Sequence, residues 1–378
     1  MKFKIKIIIT IMVSFVVIVS MCFFIVNRNS ISISGFNSDN IITGSNNSYL
    51  ITLKGVPSGN GMYQQLITIN NYSKYGINGD GSNIAFYDGS NLTHLYAWIQ
   101  FINITTIQIW VKNFNGSSII NMQVLYSFEN LFSSSGYLGE APQLSSIYAE
   151  YDNGRYVFPY YWDFAGTSLP SGINSITSDG SITVNDGVTI KGGTLETGGE
   201  NGIYTSTSFS APIIVEYYGT QTSSPKGDIY GWNIPGFANF IGTSDSSPPS
   251  GGSYEGIDFE EGNYGSVYSS QGGISHNGVL SNPSNNTFPN SIWEQIYTHS
   301  TYYTYQNGIN NTGYLTNASI NLSLPFEIMV GNNEGTYAPN GMTVYWIRAL
   351  TYVPTMPTFT IGTGNSTAFT HEIILESD

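Results

Sequence analysis

WEQIYTHSTYYTYQNG, Trp293 to Gly308, is the stretch on which the fold class turns. Asn307-Gly308 is the strongest two-residue signal for a type I′ hairpin turn, because both positions tolerate the positive φ that such a turn requires. Period two along the run puts Tyr297, His299, Thr301, Tyr303 and Tyr305 on one face, with Tyr302 on the other. The same alternation recurs at Gln64 to Asn70, Thr106 to Lys112 (TIQIWVK), Ile213 to Tyr218 and Thr343 to Tyr352, between clusters of Gly, Asn, Pro and Ser. From Tyr49 onward no window holds a helical period, so the expectation is an all-β protein built of sandwiches. Aromatics make up 14% of the chain, mostly Tyr, and such rings suit pleated faces with one wet edge.

Composition narrows the function. A net charge of −14 removes the basic face that a nucleic-acid binder needs. Charged residues are only 10% of the chain, against about 25% in a typical soluble domain. A surface made soluble by hydroxyls and amides suits surroundings acidic enough to protonate carboxylates; codon bias in a β-rich chain accounts for it equally well. The Asn, Ile and Tyr bias is compatible with an archaeon of hot acid or one of its viruses.

The N-terminus differs from the rest. Lys2, Lys4 and Lys6 precede an uncharged, mostly apolar run from Ile7 to Val26, long enough to cross a bilayer as a helix. A cleaved signal peptide has a shorter apolar core and a small-x-small exit, so residues 1–26 are expected to stay as a signal anchor, with secretion following if they are cleaved. Val19-Ser20-Met21-Cys22 approaches a lipoprotein box, but Met21 stands where a small residue is needed. The lysines before the run place the N-terminus in the cytoplasm and residues 27–378 outside. Cys22, the single cysteine, lies in that run, which leaves the exported part without disulfides, thiolate nucleophiles or cysteine metal sites.

One segment resembles a known family. IAFYDGSN (Ile84 to Asn91), YAWIQ (Tyr96 to Gln100), IWVK (Ile109 to Lys112), VLYSFEN (Val124 to Asn130) and YYWDFAGTSLPSGI (Tyr160 to Ile173) follow the order and spacing of domain of unknown function 2341, found in archaeal and bacterial surface proteins. In that family the last element leads into a concanavalin-like, laminin-G-like jelly roll. Asp163 to Ile361 resembles one through Trp293, Tyr297, Tyr305, Asn307 and Gly308 and the closing strand VYWIRALTYVP, Val344 to Pro354. The resemblance implies two tandem β-sandwiches after one transmembrane helix. The expected division is an anchor at 1–26, a stalk at 27–48, an uncharacterised sandwich at 49–160, a concanavalin-like jelly roll at 161–362, and a tail or terminal strand at 363–378.

The chemistry concentrates in EGIDFEEGNYG, Glu255 to Gly265. It resembles the Glu-x-Asp-x-Glu strand of glycoside hydrolase family 16, in which alternation puts three acids on one face: nucleophile, tuning aspartate and general acid/base. Asp258 and Glu260 match the second and third positions, and Gly256 stands at the nucleophile's. Glu255 is one residue out of phase, and a bulge at Gly256 would bring it round. Two other readings stay open: a strand whose acids lie on a wet face, and a calcium site using Asp258 and Glu260. His94, His276, His299 and His371 have no metal-ligand spacing, and no Gly-x-Ser-x-Gly elbow supports a serine nucleophile. Asn46, Asn71, Asn91, Asn103, Asn115, Asn285, Asn310, Asn317, Asn321 and Asn365 head N-glycosylation sequons, a number that so much Asn, Ser and Thr produces by chance. None falls between Phe128 and Ser284, a bare stretch that suits a contact face if the others are occupied.

These readings favour a non-catalytic surface or virus-associated recognition and adhesion protein, not an enzyme, that meets glycans or a protein partner through aromatic and amide side chains. The alternatives are a structural component of an envelope, filament or virion, and a polysaccharide-cleaving glycosidase using Asp258 and Glu260.

Overall fold

The computed structural model describes residues 41–57, 61–89, 93–113, 116–126, 129–177, 180–191, 201–222, 233–238, 254–260, 264–271, 274–279, 287–298, 302–306, 309–310, 327–332 and 341–372. Almost all of them lie in strands and turns; the helices are single turns at Tyr72–Tyr75, Leu131–Ser134 and Gly154–Val157. Among the described residues no helix is long and apolar enough to cross a membrane. The anchor expected over residues 7–26 lies outside them.

The chain divides into two compact units, Met1–Ser58 with Leu66–Gly139 and Pro357–Asp378, and Gly59–Gln65 with Glu140–Met356. The first unit resumes after the second. In the first unit the sheet order is Thr358–Ile361, Ile41–Lys54, Ile119–Val124, Ile84–Asp88, His94–Leu95, with Asn365–Glu372 also pairing with Ile41–Lys54. Ile51 sits opposite Ile120, and Met122 opposite Phe86, so alternate residues form one buried face. A four-stranded sheet, Tyr63–Asn70, Thr106–Asn113, Ala97–Ile102, Leu138–Glu140, supplies Ile67, Ile69, Ile99, Ile107 and Ile109 as further buried residues. Gly81 makes the packing possible. Its φ is +76°, and a Cβ there would lie 2.7 Å from Ile99 Cδ1.

The second unit is a two-sheet sandwich. One sheet runs Ser181–Val184, Val188–Lys191, Met342–Thr351, Ile213–Thr222, Thr287–Tyr297, Tyr302–Gln306, Ile309–Asn310, with Tyr160–Asp163 beside Met342–Thr351. The other runs Ile173–Thr177, Asn201–Thr205, Glu327–Asn332, Asn233–Ala238, Tyr254–Glu260, Tyr264–Gln271, Ile274–Val279. A single buried cluster joins them: Val215, Tyr217, Trp293, Val344 and Ile347 from the first, Ile173, Ile203 and Ile328 from the second. The run that began at Trp293 is two strands, not one. Tyr297 of Thr287–Tyr297 pairs with Tyr302 of Tyr302–Gln306, and Gln306 pairs with Ile309.

Candidate functional site

The carboxylate strand Tyr254–Glu260 is the fifth of seven in its sheet, paired on both edges. Against Tyr264–Gln271 it runs residue for residue: Glu255 opposite Ser269, Gly256 opposite Tyr268, Asp258 opposite Ser266, Glu260 opposite Tyr264. On the other edge Glu255 faces Phe237 and Gly256 faces Gly236. No bulge interrupts either ladder, so Gly256, Asp258 and Glu260 share one parity and Glu255 takes the other. The neighbouring strand says which parity is which. Phe237 is opposite Ile328, and Ile328 is buried in the sandwich core. Glu255, Ile257 and Phe259 therefore take the core register, while Gly256, Asp258 and Glu260 take the register of the sheet's other face. The side chains of Asp258 and Glu260 are outside the described residues, and with them the calcium reading. Among the described residues no three His, Cys, Asp or Glu gather as a metal site.

A second constellation, which sequence reasoning missed, lies on the other sheet. Glu216 is opposite Glu294 on one side and Arg348 on the other, and Arg348 is opposite Tyr161. This row has the parity opposite to Val215 and Tyr217, so it sits on the sheet's outer face. That face is nevertheless covered: Arg348 is 0% exposed and Glu216 5%. Arg348 Nε donates to Glu216 Oε2. The guanidinium carbon lies 4.5 Å from the Phe158 ring centroid and 4.7 Å from that of Trp346, which suits a weakly hydrated planar cation. Trp346 Nε1 in turn donates to Gln143 Oε1 at 3.2 Å, and the Tyr148 hydroxyl donates to the Tyr345 carbonyl. Residues 143–158 thus close over the charges.

One cation serves two carboxylates here. Burial, then the charge of Glu216 and a hydrogen bond to it, push Glu294 up to about 8, with Arg348 acting in the opposite sense. At neutral pH Glu294 is a neutral acid beside Glu216. Burial, then the charge of Asp152 and a hydrogen bond to it, also raise Tyr161 well above the ordinary phenol range. So enclosed a row holds a proton rather than a substrate. The signal for it was the presence of Glu or Arg inside apolar runs, IIVEYY, WEQI and YWIRAL, in a chain poor in charge.

In the first unit His94 lies between two tyrosines, 4.6 Å from the Tyr87 ring and 4.0 Å from Tyr137, with Tyr96 a further 4.7 Å beyond. Burial lowers its pKa, so the stack is uncharged at neutral pH. The side chains of His276, His299 and His371 lie outside the described residues. Of the sequon asparagines, Asn71, Asn103 and Asn365 are exposed. Asn103 Oδ1 accepts from the backbone N–H groups of Thr105 and Thr106 at 2.8 Å each. The backbones of Asn46 and Asn310 are in strands, whereas Asn91, Asn115, Asn285, Asn317 and Asn321 are outside the described residues.

No protein-family model matches the chain, so the resemblance to domain of unknown function 2341 finds no support. Over 105 residues, 27% of this chain, it is 32% identical to uncharacterized protein 562 of Sulfolobus islandicus rod-shaped virus 1. That match takes in 18% of the viral protein's length. Among solved structures, the endo-β-1,3-glucanase of Pyrococcus furiosus is similar, at a TM-score of 0.36 and 12% identity, over 52% of this chain and 95% of its own. A prokaryotic β-1,3-1,4-glucanase from a mouse hindgut metagenome is similar at a TM-score of 0.38 and 11% identity, over 51% and 99%. The sandwich is consistent with a concanavalin-like jelly roll. These neighbours correct the expectation of a non-catalytic recognition or adhesion protein, and with it the expectation that the chain is not an enzyme. The likeness is one of architecture and transfers no residue's role.

Proposed function

We propose that the second unit is a polysaccharide-cleaving glycosidase whose chemistry is carried by Asp258 and Glu260. The supporting observation is the unbroken register of Tyr254–Glu260, which sets both acids opposite in parity to the buried Ile328. Breaking a glycosidic bond needs an acid to protonate the leaving oxygen and a second carboxylate close by. Residues two apart on a strand have Cα atoms roughly 6–7 Å apart, close enough for one carboxylate to raise the pKa of the other. Glu260 is then the general acid and base, with Asp258 as the second carboxylate beside it. Residues 7–26 anchor the enzyme in a membrane, with the two units outside.

The test is reducing-sugar release by purified residues 27–378 from neutral β-linked polysaccharides, including β-1,3-glucan, mixed-linked β-glucan, agarose and polymers of acetamido sugars. Release that is lost in Glu260→Gln is the expected result. A folded protein inactive on the whole panel, or a Glu260→Gln variant as active as the parent, would end the proposal.

A further inference from the structure

The glycosidase reading leaves a gap at Gly256. In the strand that Asp258 and Glu260 resemble, the position two residues before the aspartate carries the nucleophile, and here it has no side chain. The unbulged ladder denies that position to Glu255. Neither flanking strand, Asn233–Ala238 or Tyr264–Gln271, contains an acid. Among the described strands of the sheet the one further carboxylate is Glu327, which is opposite Ala238, itself opposite Tyr254. Glu327 thus shares the parity of Asp258, but two strands across and four residues along put the two Cα atoms roughly 16 Å apart. A retaining pair needs carboxyl groups about 5–5.5 Å apart, so Glu327 is out of range.

An acid, a neighbouring aspartate and no nucleophile among the described strands meet the requirements of a glycosidase chemistry in which the substrate attacks itself. We infer that the substrate is a β-linked 2-acetamido-2-deoxyhexose polymer, and that its own acetamido oxygen takes the place of the side chain missing at Gly256. This rests on the glycosidase reading above.

The steps balance without another reactant than water. The acetamido carbonyl oxygen forms a bond to the anomeric carbon as the glycosidic C–O bond breaks, and the leaving oxygen takes the proton of Glu260. Asp258 accepts a hydrogen bond from the acetamido N–H, which orients the group and offsets the positive charge of the oxazolinium ring that forms. Water then attacks the anomeric carbon and gives a proton to Glu260. The ring C–O bond breaks, the acetamide is restored, and the product keeps the anomeric configuration of the substrate. Intramolecular attack also replaces the positioning that a tethered nucleophile would have supplied.

The experiment compares residues 27–378 on two hexasaccharides of the same β-1,4 linkage, one of N-acetylglucosamine and one of glucose, with product configuration followed by NMR. Cleavage with retention of the acetamido oligomer, at least about a hundredfold faster than of the glucose oligomer, is expected. Gly256→Glu, which returns a nucleophile to the strand, should raise turnover of the glucose oligomer. Cleavage of the glucose oligomer or of β-glucans by the unaltered protein, at a rate equal to or above that of the acetamido oligomer, would overturn the inference and leave the glycosidase reading in place. Inversion of configuration would do the same. No cleavage of either oligomer or of any polymer in the panel would overturn both.

Discussion

Replacing Glu294 by Gln should remove a pH dependence that the native sandwich carries. The amide keeps the shape of the protonated carboxyl and can still donate to Glu216, but it has no proton to lose. In the folded protein Glu294 is raised from 4.5 to about 8. A group whose folded pKa is raised binds its proton more tightly in the native state, so its stabilising contribution is full below about 4.5 and is lost as pH rises towards 8. At 1.36 kcal/mol per pKa unit, the loss between pH 5 and pH 7.5 is roughly 3 kcal/mol. For a unit of this size that corresponds to about 6–12 °C in melting temperature. Thermal unfolding of residues 27–378 at pH 5 and pH 7.5, followed by near-UV circular dichroism, reads it directly. The parent should melt lower at pH 7.5 by about that amount, and Glu294→Gln should show a much smaller difference. Equal pH slopes in the two proteins would refute the idea that Glu294 holds a proton beside Glu216.

Arg348→Met, which keeps most of the volume between Phe158 and Trp346, should cost about 3–5 kcal/mol because it leaves Glu216 buried and uncompensated, and adding Glu216→Gln should recover part of that; denaturant unfolding of single and double variants measures both. Gly341→Ala should be strongly destabilising, since the residue has φ +67° and a Cβ would lie 2.1 Å from the Ile190 carbonyl oxygen; a melting temperature within 2 °C of the parent, about 1 kcal/mol or less, would contradict this placement. Ending the chain after Met356 removes both partners of one edge of Ile41–Lys54, and should unfold the first unit or drive association through the bare strand, as seen by size-exclusion chromatography. If Asp258 and Glu260 form a catalytic pair rather than a calcium site, a chelator should change neither turnover nor melting temperature.

Local pattern made the strands legible. TIQIWVK alternates over a few residues, and the strand Thr106–Asn113 follows it in burial except at Trp110, which is buried out of phase. The phase of Gly256 was also readable, because period two is a property of one strand; that no bulge shifts it needed the partners on either side. Pairings distant in sequence left no such trace. Glu216 and Arg348 are 132 residues apart, and although each stands inside an apolar run, nothing local says that the two meet. That Thr287–Tyr297 and Tyr302–Gln306 are two strands escaped notice since Thr and Tyr both suit strands, and the Tyr297–Tyr302 pairing is a matter of register. The recognition reading went astray through composition: Tyr-rich, amide-rich faces fit sugar contact whether or not the sugar is then cleaved.

The strands Thr358–Ile361 and Asn365–Glu372 complete a sheet whose other members are made before residue 140, with residues 140–356 synthesised in between. Domains usually fold in the order they leave the ribosome. Here that order is reversed for the first unit, whose long strand Ile41–Lys54 emerges early and waits through more than two hundred residues of synthesis with one edge bare. The enclosed unit can reach its native state first and hold the two ends of its own segment in fixed places. Closure of the earlier-made sheet then waits for residues 358–372 to emerge, and the interval before it is when the nascent chain is most exposed to pairing with the wrong edge.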